Sequence, residues 1–440
     1  MKTASPFPPP EPGTDASKRY DRFRNEVMAG GSVTERDDSG TDDGRPASPA
    51  TSVITGLLVL AGFIALGLAN IWMFVFVVGV LVSVFLHETG HFVTARLTGM
   101  KATQFFLGFG PRLWSFRRGE TEYGVRALPL GAFVRIIGMN NLDEVPPEDE
   151  GRTYRQKSFP RRLLVISAGS LMHVLIAVVL LFTVYAAKGD AVEQTGAKVQ
   201  SVTPSGPAAN AGLRGDDVIV SVDGTTVDGT TLGTIVRSHQ PGDEVTVVVE
   251  RDGAQRSIDV TLGTITDPAN PNRGGALLGV RSESILGWER MPVGTAATSS
   301  IRDIFPLAWE NAQGVVKVLN PVNIIDHLSG TSDDPTTRPT TVVGITQASG
   351  TIGDTAGIYG VLYILAALNI FVAVFNMFPL LPLDGGHAAI AVYERSRERR
   401  RGPRYFADVS KLMPLAMGVI VVLLLLFMSG LYLDITKPVG

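Results

Sequence analysis

Hydrophobic and polar positions fall along this chain in long blocks. Residues 52–86 carry no charge at all. As one helix they would reach about 50 Å, well beyond a hydrocarbon core of about 30 Å. Two helices, over residues 53–69 and 71–96 with a tight turn at Asn70, fit the run better than a single long or kinked one. Further apolar runs, each long enough to span a bilayer, cover residues 163–187, 357–378 and 412–433. The pattern predicts a polytopic α-helical membrane protein with four core transmembrane helices and an extra one before them.

Between the runs the period changes. Over residues 190–283, β-branched residues alternate with polar ones in Val218-Ile219-Val220-Ser221-Val222 and Val245-Thr246-Val247-Val248-Val249. Asp223-Gly224 and Asp252-Gly253 follow these stretches as turn signals, and 232–239 reads as a short helix. This is a compact, mostly β insertion of ordinary domain size. Residues 100–162 are polar and basic, with short strands predicted over 121–126 and 132–137 around Pro129 and Gly131. They suggest a small membrane-associated sheet. The cluster from Phe105 to Gly110 either dips into the interface or packs beneath that sheet. Residues 301–320 read as an amphipathic helix interrupted or bent at Pro306. The expected units are a disordered tail (1–51), a first membrane part (52–189), the β domain (190–285), a linker with the amphipathic helix (286–345) and a second membrane part (346–440).

Composition agrees with a membrane protein: 45% of the 440 residues are hydrophobic and mean hydropathy is positive. A net charge of −3 gives no reason to expect nucleic acid as a partner. There is no cysteine, so thiolate metal sites are excluded. No cleavable signal peptide is evident in the first fifty residues. The basic segments 100–162 and 394–401 predict two cytoplasmic faces, which leaves the β domain on the other side of the membrane.

The candidate chemistry begins at His87-Glu88-Thr89-Gly90-His91, at the end of the second apolar run. On a helix the two histidines share one face one turn apart, a geometry that suits one Zn²⁺, with Glu88 placed as general base. Ionisable side chains are costly within an apolar segment and mark a functional site. Two histidines leave zinc short of a third protein ligand. Asp384 is the best candidate, because Pro379, Pro382, Gly385 and Gly386 break a membrane segment around it. Such irregular backbone survives at membrane depth only where protein or water shelters it. Capping the following helix is the alternative role for Asp384. His387 reads as a ligand, a hydrogen-bonding neighbour or a packing residue, and it is left outside the ligand set because His87, His91 and Asp384 already suffice.

These residues, the stretch from Asn376 to His387, and the intervening β insertion together resemble the site-2 protease family of intramembrane zinc metalloproteases. The closest pattern is the bacterial branch carrying a PDZ domain, in its actinobacterial form. Gly108-Phe109-Gly110-Pro111-Arg112-Leu113-Trp114 and Glu122-Tyr123-Gly124-Val125 also look like that branch, and the resemblance covers residues from Met73 onward. It implies one catalytic Zn²⁺ on His87, His91 and Asp384, with Glu88 as base and Asn376 on substrate backbone or oxyanion. It implies an extracytoplasmic PDZ-like domain, with Pro204 to Leu213 as one element and Leu278-Gly279-Val280 as its carboxylate-binding loop. The sheet near 121–137 would receive substrate as an extended strand. Substrates would be transmembrane segments of single-pass proteins in a bacterial cell membrane, such as anti-sigma factors or signal-peptide remnants, already trimmed by another protease. One departure stands out. The family's usual Gly-Pro-x-x-Asn is here Gly169-Ser170-Leu171-Met172-His173. His173 either donates to substrate or a neighbouring loop, or only packs.

Overall fold

The computed structural model describes residues 49–438, apart from 140–142, 144, 265–274, 332–336 and 403–404. The predicted tail lies almost entirely outside the described residues. Helices α1 (Pro49–Ala69) and α2 (Ile71–Leu97) are separated at Asn70. The Asn70 side chain accepts hydrogen bonds from the N–H groups of Trp72 and Met73, at 2.9 and 3.1 Å. That is an N-cap, and it starts α2 where the sequence suggested a turn.

A hairpin of β1 (Ala102–Arg118) and β2 (Thr121–Ile136) follows. The strands are longer than expected, because the chain bends within them. Gln104 to Leu107 pair with Arg135 to Ala132 on one side and with Glu122 to Val125 on the other, while Trp114 to Arg118 pair with Val125 to Thr121. Gly108 and Gly110 sit at the bend with φ of 89° and 81°, a region that other residues enter at a cost. Phe105 and Phe106 are buried. Phe105 packs on Phe92 and Tyr123, which favours the packing alternative for this cluster.

Helix α3 (Phe159–Ala187) leads to the inserted unit, residues Tyr185–Ala296. Its strands β3 (Asp190–Val202), β4 (Val218–Val222), β5 (Glu244–Arg251), β6 (Ala254–Thr261) and β7 (Val280–Glu289) form a sheet in the order β7-β3-β4-β5-β6. Short helices α4 (Pro207–Ala211) and α5 (Leu232–Arg237) belong to the same unit. Val245, Val247 and Val249 alternate into its core, as the period of two requires. Asp223-Gly224 and Asp252-Gly253 have positive φ at both residues, the conformation of a tight hairpin turn. The expected boundary at 285 falls inside β7, where Glu289 still pairs with Asp190.

The remaining helices are α6 (Val293–Arg302), α7 (Ile304–Val318), α8 (Pro321–Ser329), α9 (Val342–Asn376), α10 (Asp384–Arg401) and α11 (Met413–Thr436). The helix expected over 301–320, with its interruption or bend at Pro306, is corrected here. The break falls at Asp303, and Pro306 lies in the first turn of α7, where its missing N–H costs nothing. Helix α9 starts before the expected 357, and Gly357 marks a non-helical kink within it at φ 65°. Helices α2, α3, α9 and α11 are the four that are long and apolar enough to cross a membrane among the described residues, and α1 carries a shorter apolar stretch. Phe76 of α2 and Val361 and Leu365 of α9 share one core cluster. Asp434 of α11 is fully buried and accepts from Thr341 N and Oγ1 at 2.8 and 2.7 Å and from Gly344 N at 3.1 Å. These bonds offset the cost of burying a charge and tie α11 to the start of α9.

Candidate active site

The His-Glu-x-x-His turn lies near the C-terminal end of α2, with His87 and His91 both buried. Asp384 comes from a different element. After α9 ends, the chain turns through residues 377–383, with Leu383 N donating to Leu380 O at 2.9 Å, and α10 begins at Asp384. Gly385 and Gly386 face that turn directly. A Cβ on Gly386 would stand 2.6 Å from Leu381 N, so this tight passage requires glycine. Asp384 is the first residue of α10 and Leu383 its N-cap. Its Oδ2 is buried and accepts no hydrogen bond. A purely capping role leaves that atom unexplained.

Three ligand atoms converge. His87 Nε2 and His91 Nε2 are 3.1 Å apart. Asp384 Oδ2 lies 3.6 Å from the first and 3.4 Å from the second. Three donors placed tetrahedrally around zinc at about 2.05 Å would stand about 3.3 Å from one another. The set therefore fits one ion of that size. The protonation pattern is also prepared. His91 Nδ1 lies 2.7 Å from the Val165 carbonyl, which can only accept. The proton is thus held on Nδ1 and the Nε2 lone pair is left free for a metal.

Glu88 Oε1 is 3.9 Å from His87 Nε2, and Glu88, both histidines and Asp384 line one cavity of about 340 Å³. Asn376, at the end of α9, and Val134, on β2, line it too. His387 also faces this cavity, buried and with Nε2 unpartnered, but it is outside the three-ligand cluster.

His173 is the residue that stands where the family has asparagine. His173 is buried beside His87, ring centres 4.9 Å apart, and does not line the cavity. Its Nδ1 pairs with Asn369 Oδ1 at 2.7 Å, and Asn369 Nδ2 donates to Ser83 Oγ at 3.1 Å and Leu365 O at 2.7 Å. This chain of bonds joins α3, α9 and α2 beside His87. Asn369 was not singled out from sequence, although it is one of two amides, with Asn376, in the otherwise apolar run 357–378, and that was the available signal. Leu278, Gly279 and Val280 lie in the other unit. Leu278 O and Gly279 O accept from Ala208 N and Thr203 N, at 2.9 and 2.8 Å, and the stretch leads into edge strand β7.

Helices α2 and α3 meet at glycines. A Cβ on Gly90 would come within 2.7 Å of Ala168 O. A Cβ on Gly169 would stand 2.6 Å from His87 Nδ1 and crowd His91 Nε2 as well. Gly169→Ala is therefore expected to displace both imidazoles at a strain of about 1–3 kcal/mol. Metal content of the purified variant, measured by mass spectrometry, should fall well below that of the parent. Full occupancy would show that the rings can yield without cost.

A match to peptidase family M50 covers residues 75–424. The zinc metalloprotease Rip1 of Mycobacterium tuberculosis is 34% identical over 395 residues, covering 83% of this chain and 97% of its own. The chloroplastic membrane metalloprotease ARASP of Arabidopsis thaliana is 30% identical over 337 residues, covering 72% of this chain and 69% of its own. A solved PDZ domain of an SdrC-like protein from Listeria monocytogenes is 23% identical and covers 21% of this chain and 90% of its own. Its TM-score of 0.18 is too low to bear on the fold. The family match and the mycobacterial relative agree with the converging His-His-Asp cluster: this chain belongs to peptidase family M50, the site-2 proteases, and is a multi-pass membrane zinc metalloendopeptidase.

Proposed function

We propose that the protein cuts peptide bonds within the transmembrane segments of single-pass membrane proteins. The observation that carries this reading is the position of the His87–His91–Asp384 cluster and Glu88. They lie among helices long enough and apolar enough to cross a bilayer, beside a cavity that α2, β2 and the 377–384 turn line together. Zinc held by His87, His91 and Asp384 would polarise the scissile carbonyl and make the attacking water acidic, with a pKa towards about 7. Glu88 takes the proton as the water oxygen bonds to the carbonyl carbon, and gives it to the departing amine as the C–N bond breaks. The Asn376 amide, which lines the cavity, would hold substrate backbone or donate to the developing oxyanion.

A substrate helix has to unwind first, because its carbonyls are tied into its own ladder. Strand β2 offers an alternative ladder. Residues Ala132 to Ile136 pair with β1 along one edge, and Val134 of the same stretch lines the cavity. That arrangement supports addition of the substrate as an extended strand.

The basic stretches at 100–162 and 394–401 support a cytoplasmic position for the hairpin and the end of α10, in a bacterial cell membrane. The β unit then lies outside the cytoplasm. Its edge strand β7, entered through Leu278-Gly279-Val280, is suited to test exposed chain ends and admit proteins already trimmed by another protease. Comparing membranes from cells with the parent chain, with Glu88→Ala and with residues 190–285 deleted tests both ideas. Trimmed single-pass fragments, such as remnants of anti-sigma factors or signal peptides, should accumulate with Glu88→Ala. Untrimmed proteins should be cut when the β unit is missing. Unchanged fragment profiles would contradict the first idea, and unchanged selection the second.

A further inference from the structure

A second cavity, of about 390 Å³, takes no part in the proteolytic reading. Among the described residues, Lys157, Arg162, Arg395 and Arg399 line it with one carboxylate, Glu398, which stands 3.4 Å from Arg395 Nη1. An ordinary solvated basic surface would hold its cations apart in water, but Arg162 is only 7% exposed. Its Nη2 is held by Glu394 Oε2 at 2.6 Å, while its buried Nε has no partner. Glu394 is fixed in turn, its Oε1 accepting from Ala407 N at 2.7 Å. The cavity therefore has a rigid, desolvated guanidinium in its wall. Arg395 and Arg399 are four residues apart on α10 and project from the same face. Ser158, Phe159, Pro160 and Arg162 form another wall, where α3 begins, and α3 is long and apolar enough to span. The cavity thus lies at the end of an apolar helix, the level at which lipid headgroups meet protein.

We propose that this cavity binds a phosphate group, supplied either by the headgroup of an anionic phospholipid or by free phosphate. Glu394 pairs with Arg162 and Glu398 with Arg395, so the four cations outnumber these carboxylates by two, a positive surplus that a phosphate anion would neutralise, and guanidinium forks match phosphate oxygens. The site also has mechanical meaning. Helix α10 starts with Asp384, and α3 supplies the Val165 carbonyl that orients His91. A phosphate shared by Arg162 of α3 and Arg395 and Arg399 of α10 would clamp these two helices together. That consequence rests on the metal-ligand assignment above, whereas binding itself does not.

The test is calorimetric titration of the purified full-length protein in neutral detergent. The probes are dihexanoyl phosphatidylglycerol, dihexanoyl phosphatidylcholine and inorganic phosphate, each added to the parent chain and to Arg395→Gln/Arg399→Gln. Losing two cations near the headgroup level should weaken phosphatidylglycerol about thirty-fold. The choline lipid should bind far more weakly to either chain. Phosphatidylglycerol bound by the parent and weakened in the double variant supports the site with lipid as its source. Inorganic phosphate bound with that same sensitivity supports it with free phosphate as the source. Equal binding by parent and variant, or no binding of either anionic probe by the parent, overturns the proposal. Equal melting temperatures of the two chains in detergent without probe would show that both are folded.

Discussion

Replacing Glu88 with Gln is expected to lower cleavage by about 10²–10⁴-fold while zinc stays bound. The substitution keeps the size of the side chain and removes its ability to take a proton. Glu88 is not a member of the His-His-Asp cluster but lines the same cavity, with Oε1 3.9 Å from His87 Nε2. The metal should therefore remain while the water loses its base. Purified parent and variant would be compared for zinc content and for turnover of a single-pass substrate. Undiminished turnover with full zinc would remove Glu88 from the mechanism. Loss of zinc together with activity would show that its role is to hold the metal cluster.

The second large effect belongs to Asp384. Its buried Oδ2 stands 3.4 and 3.6 Å from the two imidazole nitrogens and accepts no hydrogen bond. Removing it by Asp384→Ala leaves two protein ligands where zinc normally takes three. Partners that merely orient ligands are worth about 10–100-fold in metal affinity, and a ligand itself should exceed that. Competition against a chelator of known affinity measures the change, and Asp384→Asn separates charge from shape. An Asp384→Ala protein that holds zinc as tightly as the parent would exclude Asp384 as a ligand. The orphaned oxygen would then need another explanation.

Much of this site could be read in the sequence because membrane burial narrows the options. Charged groups are rare in apolar runs, so His87, Glu88, His91 and Asp384 stood out against their neighbours. Asn70 was legible for a related reason: an amide in an uncharged run of 35 positions needs hydrogen-bond partners, and a helix start supplies them. The hairpin was less legible. Its strands bend at Gly108 and Gly110 and pair twice, and neither event leaves a period in the sequence. Pro306 misled because proline in a helix interior and proline in a first turn look the same until the helix start is known. The bonds from His173 through Asn369 to Ser83 join three helices far apart in sequence, so no local pattern could report them. Gly169 could be recognised as a small residue for close packing, but its proximity to both imidazoles appears only in three dimensions.

The central claim is that the cut bond lies inside the membrane, and the position of that bond tests it most directly. The zinc-loaded protein would be reconstituted in lipid nanodiscs with a single-pass substrate found by the membrane comparison, and the products weighed intact by mass spectrometry. The account predicts product masses that place the cut within the apolar segment of the substrate, absent with Glu88→Gln and abolished when zinc is stripped. Cuts confined to the polar flanks, made with the same dependence on zinc and Glu88, would contradict it and make this a membrane-anchored protease acting on exposed chain.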